Sequence, residues 1–555
     1  MKKRILFLAL ACAMLFSILA ACGGDSGGPQ AFVQPPANWD DPYSTTVKIN
    51  AASIMGVNWF FEGDDDISNN PWTRLYKDRL NIDVDFVFTA IADGYEERLN
   101  MAISAGDLPD VFYIPRDADP MLFRNLAEAG MLLDLTDAYN NYASPRLRAH
   151  EQVDPYTIQG FTIDGKIYGI PRYYYGQIDQ PWHIWVRKDW YEAERSPEIK
   201  TVADLENLAR AFMNNHGAAY GIGAENTLQW LFRTAPMFGA YIGDVFSNEY
   251  FWLPDSTGRL KPGISQPEFQ VALENWARWF EEGLLSPEFA TFEPWGNAQE
   301  EVVNGRVGIH PWWQWWGWWG NAITELSGLD SYFIPLNLPT LDGSRPALGQ
   351  IFYPNNGVIV ASANFNNPAA LMKILSLNDH MIFSPDANLT PADLEYYMDD
   401  GREHAMTPTF QVIDPKADLL QFQHVLYALN TGDTSQLFTT GMKFKYTDSL
   451  SWRTDPMSHP SFPNNLGAYL QMGFEGSAYG RSQHLFDNGW TIQTRQWGPA
   501  PPGYGDAGTP NDIIMEEVMN IVMGNRPVSD WPSILDRWYS NGGQHIEDLI
   551  NEHYG

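Results

Sequence analysis

Ile82-Asp83-Val84-Asp85-Phe86-Val87-Phe88 sets apolar Ile82, Val84, Phe86 and Phe88 against Asp83 and Asp85. A period of two is that of a β-strand with one covered and one wet face. Ahead of it, Val47–Met55 reads as another strand. Between the two, Trp72–Leu80 reads as a helix, capped by Asn70 with Pro71 at its first position. Behind it, Asp93 and Glu96 make a capping-box-like start, and Tyr95, Leu99, Ala102 and Ile103 form an apolar stripe. Gly106 ends that helix before a short strand, Val111–Ile114. Strand–helix–strand–helix–strand predicts a mostly parallel sheet with covered faces. Ligands of such sheets sit beyond the carboxyl ends of the strands, so Gly56–Glu62 and Tyr113–Arg116 are placed to line a site.

Farther on, Asp164-Gly165-Lys166-Ile167-Tyr168-Gly169-Ile170-Pro171 looks like a turn entering a strand, and His183–Arg187 like another strand. Thr201 caps a helix with Leu205, Leu208, Phe212 and Met213 on one face. Ser265 and Glu268 box another, which carries Phe269, Leu273, Trp276 and Phe280 and stops at Gly283. The α/β alternation thus breaks near residue 170 and resumes, marking a candidate hinge. Tyr332–Leu338 and Gly357–Ala361 read as strands. Helices dominate afterwards, a late one opened by Thr509-Pro510 and closed by Gly524. A chain of 555 residues exceeds what one core organises, so two or more lobes are expected.

An apolar fraction of 44% and a charged fraction of 19% are those of a globular protein. The net charge of −33 would repel phosphate backbones and argues against nucleic acid. Lys2-Lys3-Arg4, the apolar run Ile5–Leu19 and the small residues before Cys22 follow the plan of an export signal. That run is shorter than the about 20 residues of a membrane span. The ending resembles the bacterial lipobox, whose cysteine is diacylated and becomes the new N-terminus; a plain secretory signal cut nearby is the alternative. The lipobox implies a signal peptide over 1–21 and an anchor at Cys22, since two acyl chains suffice for stable attachment. Residues 22–42, rich in Gly and Pro, then read as a flexible tether. With Cys12 removed and Cys22 acylated, the body has no thiol, which excludes disulfides, thiolate metal sites and cysteine nucleophiles.

No His-x-x-x-His pair with an intervening Glu occurs, so no metal or cofactor is expected. Asp64-Asp65-Asp66 with Ser68 and Asn70 is oxygen-rich enough for Ca²⁺ but lacks the spacing and glycine of an EF-hand. Glu281-Glu282, Glu300-Glu301 and Asp399-Asp400 are neighbours that do not face one another on a helix. They read as solvated surface, and no catalytic residue is assigned.

The least ordinary stretch is His310-Pro311-Trp312-Trp313-Gln314-Trp315-Trp316-Gly317-Trp318-Trp319, with six of the chain's 22 tryptophans. One strand or helix cannot turn all of them to one core. Some indoles should therefore meet a ligand that is flat on one side and polar at its rim, as a sugar ring is.

Ser104-Ala105-Gly106-Asp107-Leu108-Pro109-Asp110-Val111, Asp164–Pro171, Arg187-Lys188-Asp189-Trp190, Asn304-Gly305-Arg306-Val307-Gly308 and the terminal Ile546-Glu547-Asp548-Leu549-Ile550-Asn551 follow in order. This set resembles the family 1 extracellular solute-binding proteins of ABC importers, above all the long LplA-type sugar-binding lipoproteins of Gram-positive bacteria. The resemblance implies a bilobed α/β fold of the type II periplasmic-binding-protein kind, with a ligand cleft between hinged lobes. It implies an N-terminal lobe of 43–170 plus 332–375 and a C-terminal lobe of 171–331 plus 376–555. It also implies a monomer tethered to the outer face of the cell membrane, with permease subunits as partners. In shorter members a helix with a Gly-containing turn leads through a strand to a Pro-Trp at the cleft. Val303-Asn304-Gly305 through Ile309 to Pro311-Trp312 is similar, which places the aromatic run on the cleft wall.

Both lobes should contact the ligand. Trp59, Phe60 and Glu62 are nominated from the first, Arg172, Tyr173, Tyr174 and Trp182 from the crossover. Trp230, Trp312, Trp313, Gln314, Trp315 and Trp316 are nominated from the second. Core packing is the competing reading of each indole. The function expected is capture of a carbohydrate, an oligosaccharide above all, without chemistry on it. The alternatives are a secreted glycosidase or lyase with an aromatic cleft, or the same fold with a peptide or other non-sugar cargo.

Overall fold

A computed structural model describes residues 30–55, 61, 63–115, 118–119, 121–153, 155–173, 176–224, 228–244, 249–292, 300–302, 304–319, 331–352, 355–384, 410–456, 462–498, 500–501, 503–504 and 511–555. The signal peptide, Cys22, Trp59, Phe60, Glu62 and Tyr174 lie outside these residues, as does the side chain of Tyr173.

From Val47–Met55 (β1) the chain runs through Pro71–Leu80 (α1), Ile82–Ile91 (β2), Ala92–Ala105 (α2), Val111–Ile114 (β3) and Pro145–Val153 (α3) to Gly169–Tyr173 (β4). It continues with His183–Arg187 (β5), Val202–His216 (α4), Leu228–Thr234 (α5), Pro267–Glu281 (α6), Ile309–Trp312 (β6) and Phe333–Asn337 (β7). Gly349–Ile351 (β8) leads to Asn355–Ala361 (β9) and Pro368–Phe383 (α7). Then come Ala417–Thr431 (α8), Thr440–Thr454 (α9), Phe462–Met472 (α10), Ala478–Asp487 (α11), Thr491–Gln493 (β10), Asn511–Val522 (α12) and Gln544–Tyr554 (α13), with shorter helical turns between.

The first lobe is the five-stranded sheet β2-β1-β3-β9-β4. β1 pairs in parallel with β2 and β3, and β9 runs antiparallel between β3 and β4. Alternation along the strands sends Val47, Ile49, Val111, Tyr113 and Ile359 to one core and Ala52, Phe112, Ile114, Val358 and Val360 to another, so both faces are covered. α1 begins where the Asn70 carboxamide accepts from the Trp72 and Thr73 amides while the Thr73 hydroxyl accepts from the Asn70 amide. The left-handed Asn81 (φ 55°) ends it, leading directly into β2.

The second lobe is built on β6-β5-β7, with both outer strands antiparallel to β5. This corrects two expectations. The parallel alternation does not resume, because the neighbours of β5 arrive from distant chain running the other way. Phe333–Asn337, assigned by resemblance to the first lobe, hydrogen-bonds along β5 in the second. A further correction concerns α6: Ser265 does not box Glu268. Its hydroxyl donates back to the Pro262 carbonyl (2.8 Å), and Gln266 precedes Pro267 without a side-chain cap bond.

Indoles dominate the second core: Trp185, Trp230, Trp252, Trp276, Trp279, Trp316 and Trp538 are fully buried there. α8–α11 form a helical group with its own small core around Phe422, Val425, Met442, Met472 and Tyr479. From Gln30 to Asp41 the segment expected to be free tether is laid along the first lobe. Gln30 accepts from the Lys48 amide (2.7 Å), Asn367 from the Val33 amide (2.8 Å), and buried Lys373 donates to the Asn38 and Trp39 carbonyls (both 2.7 Å). A buried ammonium needs such acceptors, and these carbonyls supply them.

Candidate functional site

Three segments join the lobes, and they are tied to one another. The first runs from β4 to β5, the second from β7 through β8 to β9, and the third from the first-lobe residues Phe410–Ile413 into α8. The Gly176 amide donates to Asp418 (3.2 Å), and a Cβ at Gly176 would lie 2.6 Å from the Pro415 carbonyl oxygen, so the first and third segments touch only because residue 176 is glycine. Gln180 joins the first to the second: its carboxamide oxygen accepts from the Phe352 amide (2.5 Å) and its Nε2 donates to the Phe352 carbonyl (3.2 Å).

Around these ties lies a buried polar cluster. Asp179 Oδ1 accepts from Gln314 Nε2 (2.5 Å) and the Tyr479 hydroxyl (3.2 Å), and Gln471 donates to the oxygen of Gln314. Burial is the main cause that pushes the Asp179 carboxyl up to about 8, with the Asp418 charge adding to it. The bonds from Gln314 and Tyr479 and the charge of Arg233 pull the other way. Asp418 is also raised by burial, although its side chain keeps some solvent contact; the Gly176 amide, Lys445 and Tyr479 hold it down. Both carboxyls are thus held above the ordinary carboxylate range, Asp179 the more so.

Beside this cluster opens a pocket walled by Gln180, Trp182, Arg233, Pro236, Gln350 and Leu485, among others. The Arg233 guanidinium lies 4.1 Å from the Phe352 ring centroid and 5.8 Å from that of Trp313. The Trp182 N–H and the Gln350 carboxamide oxygen are buried without a hydrogen-bond partner among the described residues. A donor, an acceptor and a cation thus line a narrow, partly apolar crevice, groups of the kind that bind hydroxyls. On the first lobe, Arg172 stands half-buried at the end of β4, its guanidinium 5.6 Å from the Tyr113 ring.

The tryptophan run divides. Trp316 (1% exposed) packs on His310 (4.4 Å), Trp312 (6.0 Å) and Phe333 (5.9 Å) and belongs to the core, so its nomination as a ligand contact is corrected. Trp230, at 0%, is corrected for the same reason, and Gln314 is corrected because its amide is spent on Asp179 and Gln471. Trp312 and Trp182 are buried but touch each other (5.6 Å), and Trp182 walls the pocket. Trp313 and Trp315 stay half-buried in the turn between β6 and the helical turn Trp316–Trp319. Neutral His310, its pKa lowered to about 3 by burial, is the platform on which Trp312 and Trp316 stack. Gly223 makes room for it, since a Cβ there would lie 2.2 Å from His310 Nδ1.

Sequence reading missed Asp179, Gln180, Arg233, Gln350, Asp418 and Tyr479. Arg233 had a signal, a lone charge in the apolar run Trp230-Leu231-Phe232; the others had none without their long-range partners. Among the described residues no group of three His, Cys, Asp or Glu could hold a metal ion. The oxygens near Asp64–Asp66 are occupied otherwise: Asp66 accepts from the Ser68 and Asn69 amides, and Asp65 pairs with Arg74 (2.7 Å).

A mixed first sheet, an antiparallel second one, three connecting segments and a polar pocket beside them define a bilobed α/β binding protein of the type II periplasmic-binding-protein kind. Residues 64–373, more than half the chain, match the family described as bacterial extracellular solute-binding protein, and the chain belongs to that family. It is 26% identical over 314 residues to the polygalacturonan/rhamnogalacturonan-binding protein YtcQ of Bacillus subtilis (strain 168), covering 56% of this chain and 57% of the relative. The alignment thus spans little more than half of that relative's length. An HMO-binding, ABC-transporter-associated solute-binding protein from Bifidobacterium longum infantis ATCC 15697 has the same fold at 14% identity (TM-score 0.62, 92% of this chain and 98% of that one). So does the Streptococcus pneumoniae substrate-binding protein FusA in complex with kestose, at 15% identity (TM-score 0.60, 91% and 98%). Among the described residues no helix is long and apolar enough to cross a membrane.

Proposed function

We propose that this chain is the substrate-binding lipoprotein of an ABC importer, anchored through Cys22, and that it captures a carbohydrate oligomer between its lobes and passes it unchanged to a permease. Membership of the family supports the binding role, and the name of YtcQ supports a saccharide cargo. The observation that carries the reading is the pocket at the connecting segments. There the unpartnered Trp182 N–H and Gln350 oxygen stand near Arg233, whose guanidinium faces the half-buried Trp313. Hydroxyls of a sugar satisfy such groups while indole covers its flat face.

On this reading Trp182, Trp313 and Trp315, with Trp312 behind them, form the second-lobe wall together with Gln180, Arg233 and Gln350. Arg172 is the contact proposed from the first lobe, and Trp59, Phe60, Glu62, Tyr173 and Tyr174 are proposed as further ligand contacts on the sequence alone.

The test is a titration of intrinsic tryptophan fluorescence against a panel of plant, host and microbial oligosaccharides, with chromatography of the sugar afterwards. A saturable shift with the sugar recovered intact supports the reading. Cleaved sugar, or no response to any saccharide, refutes it. Replacing Cys22 with Ala should release the protein from the membrane fraction into the medium.

A further inference from the structure

We infer that Arg172 is the seat of a carboxylate: the cargo carries an acidic sugar, a uronate, whose carboxyl group docks on this guanidinium at the first lobe's side of the cleft. The inference rests on the carbohydrate reading above and adds the charge of the ligand.

Arg172 is the penultimate residue of β4. β4 is antiparallel to β9, which is antiparallel to β3, so β4 ends on the same edge as β1 and β3. That is the edge on which α/β sheets present their ligands. The side chain follows Ile170 on the face that also carries Tyr113 and Ile359. There its guanidinium lies 5.6 Å from the buried Tyr113 ring, close enough for the ring to orient its plane.

Among the described residues this arginine has no counter-charge. Its Nε is buried with no hydrogen-bond partner, and among the described residues no carboxylate pairs with it. Acidic residues outnumber Lys and Arg by 68 to 35 in this chain. Three other sheltered arginines take carboxylates: Arg146 binds Asp379 (3.3 Å) and Asp414 (2.7 Å), Arg187 binds Asp189 (2.8 Å), and Arg278 binds Glu206 (2.5 Å), while Arg481 donates to the Gly476 carbonyl (3.0 Å). Burying the Nε of a guanidinium without an acceptor is costly. A hydroxyl would accept one bond and leave the charge uncompensated, whereas a carboxylate meets the fork with two parallel bonds. The protein's overall negative charge does not forbid this, because exposed charges are screened beyond about 10 Å at ordinary ionic strength.

The test is calorimetric titration of the purified protein with trimers of galacturonate, glucuronate and mannuronate, each beside its carboxyl-reduced neutral counterpart. The expected result is that at least one uronate trimer binds about tenfold or more tightly than its reduced form. Arg172→Gln should weaken that uronate by about 10- to 100-fold while changing the neutral form less than threefold. Arg172→Lys, which keeps the charge but not the fork, should fall between. Arg79→Gln, on an exposed part of α1, removes the same charge and should leave both affinities unchanged. Melting curves of the two Arg172 variants check that they fold. Equal losses on both members of a pair overturn the assignment, as does an unaffected Arg172→Gln. Binding of neutral oligosaccharides with no uronate bound overturns it alone; failure to bind any saccharide overturns the carbohydrate reading beneath it.

Discussion

Asp179 is 4% exposed, and burial, with Asp418 beside it, raises its carboxyl to about 8, far above the about 3.9 of an unfolded chain. The folded state therefore holds this proton more tightly. Its contribution to stability is complete below pH about 4 and is lost as pH rises toward 8. Melting temperature should accordingly fall between pH 5.5 and 9, and Asp179→Asn, which cannot lose a proton, should flatten that slope; parallel slopes would contradict the assignment. His183 and His310, depressed to about 3 by burial, act on the acid side, where stability drains as pH falls below about 6.5. The indoles separate by burial. Trp316→Ala should cost about 3–5 kcal/mol in urea unfolding, whereas Trp313→Ala should cost clearly less and weaken saccharide binding in the fluorescence titration. Sequence marked this run as unusual but could not sort its members. The turn at Trp313–Trp315, not a helical or strand period, decides which rings point inward.

Elements whose partners lie nearby in sequence were the most legible. The alternation at Ile82–Phe88 and the Asn70 cap with Pro71 are local facts, and β2 and α1 form where they predict. Asn70→Ala should cost about 1–2 kcal/mol by chemical denaturation, since it removes the acceptor for the Trp72 and Thr73 amides. The Ser265–Glu268 box failed because a backbone carbonyl behind it, at Pro262, captured the serine hydroxyl. The pairing of β8 with β10, far apart in sequence, left no local mark at all. α10 carries a second constraint of this long-range kind: a Cβ at Gly467 would lie 2.5 Å from the Trp318 ring. Gly467→Ala should destabilise the protein by about 1–3 kcal/mol, read by thermal unfolding, as the ring and helix are forced apart.

At the scale of the molecule, the first 110 or so residues spell out the parallel core of one lobe, while the antiparallel second sheet could not be read from them. The strands flanking β5 are supplied by chain more than a hundred residues away, and only tertiary packing sets their direction. If the lobes close on cargo, the radius of gyration from small-angle scattering should fall when a bound saccharide is added and stay constant with an unbound one. The manner of closing is constrained by a single amide. Because Gln180 grips both the N–H and the C=O of Phe352, two of the three strips between the lobes are stitched into one ribbon. A ribbon can twist about its length but resists sliding of one edge past the other, so the halves should swing like a door on its pin rather than roll like a ball in a socket.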